Sequence, residues 1–134
     1  MSLVLEDLMP AFQGLITSVI TSCSAGGEPN TTEISQVYYV DSDHVALSFQ
    51  FFGKTTRNIE ENPQVAALVI NPETLAMYQL DLQFLRREIE GDLFEQMDMQ
   101  LRAIASMTGM EDVFKLRGAD IYKVKAITKI DDWA

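Results

Sequence analysis

The stretch "FQFFGKTTRNIEENPQVAALVI", Phe49 to Ile70, changes character twice. An aromatic run ends at Gly53, a polar run carrying Lys54, Thr55 and Arg57 follows, and Asn62-Pro63 closes it before an aliphatic run. The residue before a proline avoids the helical region. The order therefore predicts a strand, a short helix over Thr55 to Glu61, and a second strand over Gln64 to Ile70. Free N–H groups at a helix start favour negative charge, so two cations and a hydroxyl there permit an anion site. The same residues equally permit Thr55 as a helix cap beside two solvated charges. A nucleoside-triphosphate loop is excluded, because its pattern needs glycine where this chain has Ser48.

The charge distribution gives those cations their interest. Up to Leu85 the only basic residues are Lys54 and Arg57, in a chain whose formal net charge is −10. Such a field repels nucleic acids and anionic membranes, which excludes both as partners. The single cysteine, Cys23, allows no intrachain disulfide and reads as a small core residue. "MSLVLEDLMP" is acidic where a signal peptide needs bases, and no aliphatic run is long enough to span a bilayer, so a cytoplasmic location is expected.

Working outward, Leu3 to Phe12 reads as a short helix stopped at Gly14. "LITSVITSCS", "AGGEPN" and "TTEISQVYYVD" read as a hairpin, followed by a turn at "DSD". "HVALSFQFF" alternates as a half-buried strand, with Val45, Leu47, Phe49 and Phe51 on one face and Ala46, Ser48 and Gln50 on a polar one. "LAMYQLDLQFLRREIEG" is a long strand. Asp92 and Glu95 then have capping-box spacing, and Leu93, Phe94, Met97, Leu101, Ile104 and Ala105 form a helical stripe ending at Gly109, with Met99 turned away toward a partner surface. "GADIYKVKAITKI" closes as a strand, with Ile121 and Ile127 on one face and Tyr122 and Val124 on the other. The 134 residues make one domain. Tight turns favour antiparallel pairing, so the expected fold is mainly β: six antiparallel strands in a small closed or split barrel with flanking helices.

Catalytic constellations are sparse. His44 is the only histidine and sits beside a turn; Asp41 and Asp43 lack the remaining positions of a calcium loop, and no zinc pattern occurs. Chemistry is then expected from a cofactor.

The segments "TSCSAGGEPNTTEIS", "HVALSFQ", "GKTTRNIEENPQVAALVI" and "FLRREIEG" together resemble the flavin-binding split-barrel family related to pyridoxamine 5′-phosphate oxidase, from about Phe12 to Ile130. The resemblance implies a six-stranded antiparallel barrel, a homodimer, and flavin mononucleotide (FMN) in clefts between subunits. It places the phosphate-binding turn on Gly53, Lys54 and Thr55, with Thr55 where the family commonly has lysine and Arg57 as a compensating charge. Ser48, Phe49 and Gln50 match the segment that touches the phosphate and ribityl chain, and Ile34 and Ser35 the strand lining the isoalloxazine ring. Arg86 replaces a glutamine that approaches the flavin, beside the plainer possibility of an exposed Arg86-Arg87 pair. The chain lacks the Arg- and Trp-rich C-terminal region of the true oxidase, so the implied activity is FMN-dependent oxidoreduction of a small molecule other than pyridoxamine phosphate. The alternative is a non-enzymatic sensor or assembly module of the same fold that binds flavin or haem weakly or not at all.

Overall fold

The computed structural model describes residues 3–12, 16–34, 37–49, 53–107, 109 and 116–130. A 3-10 helix over Leu5–Phe12 precedes β1 (Ser18–Cys23), β2 (Pro29–Ile34), β3 (Val37–Asp41), β4 (His44–Phe49), α1 (Gly53–Glu61), β5 (Gln64–Ile70), β6 (Met77–Glu88), α2 (Asp92–Met107) and β7 (Gly118–Ile130). The seven strands form one sheet in the order β2-β1-β5-β6-β7-β4-β3, and every pairing is antiparallel.

Six strands were expected; the seventh arises because "TTEISQVYYVD" divides. Its first part pairs with β1 as β2, and its second pairs with β4 as β3. These are the two edges of the sheet, separated in the chain only by the step from Ile34 to Val37. A flat sheet of this width would hold its edges roughly 29 Å apart. Instead Ile34 and Val37 share one apolar cluster with Ile20, Leu47, Val65, Leu80 and Tyr122. The sheet is therefore curled into a barrel around that cluster.

Flanking elements cover parts of this barrel. Leu5, Leu8 and Ala11 recur every third residue, and the three-residue turn of a 3-10 helix aligns them into the core. α2 packs Met97 and Leu101 against Ala46, Ala119 and Ile121 on the opposite side of the sheet from the main cluster, while Met99 stands 70% exposed. Gly91, at φ 101°, lends its carbonyl to the N–H of Glu95, so Asp92 begins the helix rather than capping it. The expected polar side of β4 is also corrected. Val45 and Leu47 enter the main cluster, Ala46 lies in the α2 layer, and Ser48 is buried, so this strand is covered on both faces. No helix among the described residues is long and apolar enough to cross a membrane.

The β6–β7 ladder contains two register shifts. Asp81 pairs with Ala126 but Leu82 with Val124, leaving Lys125 as the extra residue; Phe84 pairs with Tyr122 but Arg86 with Ile121, leaving Leu85 extra. Each bulge reverses the alternation of faces beyond it. Strict alternation would separate Val124 from Ile127, whereas both pack on the main cluster. At the other bulge, strict alternation would continue Leu80, Leu82 and Phe84 into Arg86. The shift substitutes Arg87, whose Nε and Nη2 donate to Oδ1 and Oδ2 of Asp120 at 2.6 and 3.1 Å. Gly118 makes room for the arginine stem, since a Cβ there would lie 2.7 Å from Arg87 Cδ.

Burial pushes the Asp120 carboxyl up and Arg87 opposes that shift, while Asp120 raises the guanidinium further; the short two-point contact identifies an ionised pair. Replacing Arg87 with Met leaves a buried carboxylate uncompensated, for an expected loss of about 3–5 kcal/mol at neutral pH. The variant's Asp120 then titrates still higher in the folded than in the unfolded chain, so the folded state takes up the proton first as pH falls. Urea denaturation at pH 8 and pH 5 should therefore show the deficit relative to the parent narrowing at the lower pH; a pH-independent deficit would show that the buried charge is not its source.

Candidate functional site

α1 is seated on the β1–β2 hairpin mainly by polar contacts. Ile59 is its apolar anchor in the barrel cluster. Asn58 Nδ2 donates to Ser22 Oγ at 3.2 Å, Asn30 Nδ2 donates to Thr55 Oγ1 at 2.9 Å, and the Ala25 N–H donates to Glu61 Oε2 at 3.3 Å. Buried side-chain hydrogen bonds fix relative orientation more narrowly than apolar contact, because a displaced partner is left unsatisfied. The helix is thus held to the hairpin along its length.

Its first turn carries the anticipated cations. α1 begins at Gly53, ahead of the expected Thr55, so the capping role considered for Thr55 is corrected: this threonine lies inside the helix and is buried against Asn30. Its hydroxyl accepts from Asn30 and retains a proton to donate. Lys54 is half-exposed and its Nζ lies 3.3 Å from Glu28 Oε1. Arg57 is exposed and has no ion pair or hydrogen bond among the described residues. Gly53 adds no side chain, and a Cβ placed on it would meet nothing within 4 Å. Two cations near a helix start are donors that suit a phosphate group.

The remaining anticipated residues fall into separate places. Ile34 and Ser48 line an internal cavity of about 10 Å³ together with Thr32, Thr56, Asp120 and Tyr122. That volume is about one water molecule's worth, far below the roughly 300 Å³ of a small-molecule pocket. Thr56 Oγ1 is buried there without a hydrogen-bond partner among the described residues. Burial and the nearby Asp120 charge push the Tyr122 phenol up, so it stays protonated. Ser35 and Gln50 lie outside the described residues, as do Gly14, Phe51 and the side chains of Phe49 and Ile104.

Arg86 is on neither of these surfaces. The bulge at Leu85 turns it to the α2 side, where its Nε lies 3.4 Å from Glu88 Oε1 in a groove of about 380 Å³ with Tyr38, Tyr39, Val40, Leu93 and Gln96. Tyr38 donates to Gln96 Oε1 at 2.6 Å and so ties α2 to β3. His44 is the first residue of β4, directly after the turn at Ser42 and Asp43, with its Nδ1 2.8 Å from Asp41 Oδ1; the Asp43 N–H and then His44 hold the Asp41 carboxyl below its ordinary value.

Thr56, Gly118 and Asp120 were not singled out from the sequence, and Arg87, read there as half of an exposed pair with Arg86, is corrected: it is partly buried against Asp120. A signal existed for one of them: Asp120 alternates with Tyr122 and Val124 in an apolar strand, and a buried acid needs a cation. The neighbouring threonines of α1 should also separate experimentally. Thr55→Val strands the Asn30 amide and should cost about 1–2 kcal/mol in urea denaturation, whereas Thr56→Val removes an unpartnered buried hydroxyl and should be neutral or stabilising by about 1 kcal/mol.

Residues 5–125 match the family model for pyridoxamine 5′-phosphate oxidase. No curated protein matches the chain. Among solved structures, an FMN-binding protein from Syntrophomonas wolfei subsp. wolfei aligns with a TM-score of 0.76 at 16% identity, over 96% of this chain and 90% of its own. An F420 reductase aligns with a TM-score of 0.64 at 12% identity, over 88% and 93% respectively. HutZ, a heme storage protein from Vibrio cholerae, aligns with a TM-score of 0.59 at 17% identity, over 95% of each chain. At these identities the likeness is one of fold, the antiparallel split barrel with flanking helices. Because the sequence match runs from the N-terminal 3-10 helix into β7, the chain belongs to the pyridoxamine 5′-phosphate oxidase family.

Proposed function

We propose that the protein is an FMN-binding flavoprotein acting as an oxidoreductase on a small-molecule redox substrate, with the flavin held between two copies of the chain. The observation that carries this reading is the pair of cations in the first two turns of α1: Lys54 and Arg57 flank Thr55 and Thr56 and are the only Lys or Arg residues before Arg86. Family membership and the FMN-binding relative from Syntrophomonas wolfei support it. Lys54 and Arg57 hold the phosphate, while Thr55, buried against Asn30, keeps the helix on its hairpin. The cavity lined by Ile34 and Ser48 is too small for a flavin ring, so this reading puts the ring on an outer surface that a second subunit can cover. Arg86 borders a separate groove on the α2 side, so it would reach the ring only across the subunit boundary, where a guanidinium would favour a reduced, anionic flavin. When bound, the flavin supplies hydride or electron transfer; the chain's residues bind, orient and shield it.

A second reading is a non-enzymatic ligand-binding module. The heme storage relative favours it, although the chain's single histidine, His44, is engaged with Asp41. The absorption spectrum of the purified protein separates the two: flavin bands favour the first, an intense Soret band after haem addition the second.

Titration with FMN, followed by flavin fluorescence, should show saturable quenching. Lys54→Ala and Arg57→Ala should each weaken FMN binding roughly tenfold while leaving riboflavin, which lacks the phosphate, little changed. Equal loss for both flavins would move the phosphate elsewhere, and no response to either would overturn the flavin reading.

A further inference from the structure

Glu28 is held beside the cations by its own turn. Its N–H donates to Ser24 Oγ at 3.1 Å, its carbonyl accepts from the Ser24 N–H at 2.9 Å, and Gly27, at φ 85°, supplies the left-handed step that closes the turn. The hairpin is in turn locked to α1 through Asn30–Thr55 and Ser22–Asn58. Glu28 therefore has a fixed backbone next to the first turn of α1, with only its side chain free to move. That side chain is 73% exposed and ends with Oε1 at 3.3 Å from Lys54 Nζ.

We propose that Glu28 is a built-in counter-ion that occupies Lys54 in the absence of ligand and is displaced when a phosphate monoester binds. The inference rests on the phosphate reading above and adds a residue that sets its affinity. Chemistry supports displacement over coexistence. A carboxylate and a phosphate are both pure acceptors at neutral pH, so they repel each other across one ammonium group, and the phosphate brings the larger charge. Exposed ion pairs are weak, which makes Glu28 easy to expel into water. Arg57 has no partner among the described residues and so can engage the phosphate without first losing a contact. The arrangement keeps Lys54 neutralised in the empty protein and lowers the affinity of any anion that must displace the carboxylate.

The test compares FMN and riboflavin binding by fluorescence titration in the parent protein, E28Q, K54M and the double variant. E28Q should bind FMN about two- to five-fold more tightly, with riboflavin unmoved, and the gain should vanish when Lys54 is already Met. An unchanged FMN affinity in E28Q would overturn the proposal. So would an equal gain in the K54M background, since Glu28 would then act only through net charge. If FMN and riboflavin bind alike in every variant, the phosphate site itself fails and the proposal falls with it; if FMN alone responds to Lys54 but not to Glu28, the site stands and only the counter-ion role is lost.

Discussion

The two bulges in the β6–β7 ladder decide which side chains see the inside of the barrel. An alternating strand has a single choice of face, and one extra residue inverts that choice for everything beyond it. The extra Lys125 lets Val124 and Ile127 both contribute to the core, and the extra Leu85 exchanges Arg86 for Arg87. The second exchange brings a guanidinium across to Asp120, where burial would otherwise drive the carboxyl toward its neutral form. Gly118 is part of the same device, because any side chain there would collide with the arginine stem. Bulge, glycine, cation and acid stand or fall together.

That device supports the cavity beneath α1. Asp120 and Tyr122 of β7 line it with Thr56 of α1 and Ile34 of β2, so residues far apart in sequence close one small volume. The helix above is fixed by amide-to-hydroxyl contacts as well as by Ile59, and such contacts resist sliding as well as separation. A nine-residue helix has little stability of its own, so its orientation is a property of the hairpin beneath it. The cations of its first turn inherit their position from Ser22, Asn30 and the turn at Gly27.

Much of this architecture could be read from sequence where local rules decide the outcome. Asn62-Pro63 marks the end of α1 because the pre-proline constraint is steric, and Gln64–Ile70 is a strand with the expected bounds. The division of "TTEISQVYYVD" was not legible, since a strand that leaves one edge of a barrel for the other keeps its β-forming residues throughout. Nor was the burial of both β4 faces, which depends on where α2 docks. The face of Arg86 could not be read either. A bulge has no obligatory residue in "LQFLRRE", and its position is set by pairing across the ladder to a strand more than thirty residues later. Local pattern located the cations at α1; only the three-dimensional pairing revealed that Glu28 faces one of them.

Net charge bears on how selective the proposed anion site would be. With a formal charge of −10, the protein repels anions over the Debye length, about 8 Å at physiological ionic strength. Inside that distance a specific cation dominates, because the attraction between neighbouring charges near a protein surface reaches about 4 kcal/mol at 4 Å before desolvation. An anionic ligand is therefore discouraged from most of the surface and favoured where basic residues cluster near open backbone donors. Among the described residues of the first half of the chain, Lys and Arg occur only near the start of α1. In the proposed site, Glu28 beside Lys54 would add a carboxylate that any incoming anion has to displace. If the α1 cations hold a phosphate as proposed, scarcity of positive charge elsewhere would restrict where an anionic ligand can bind.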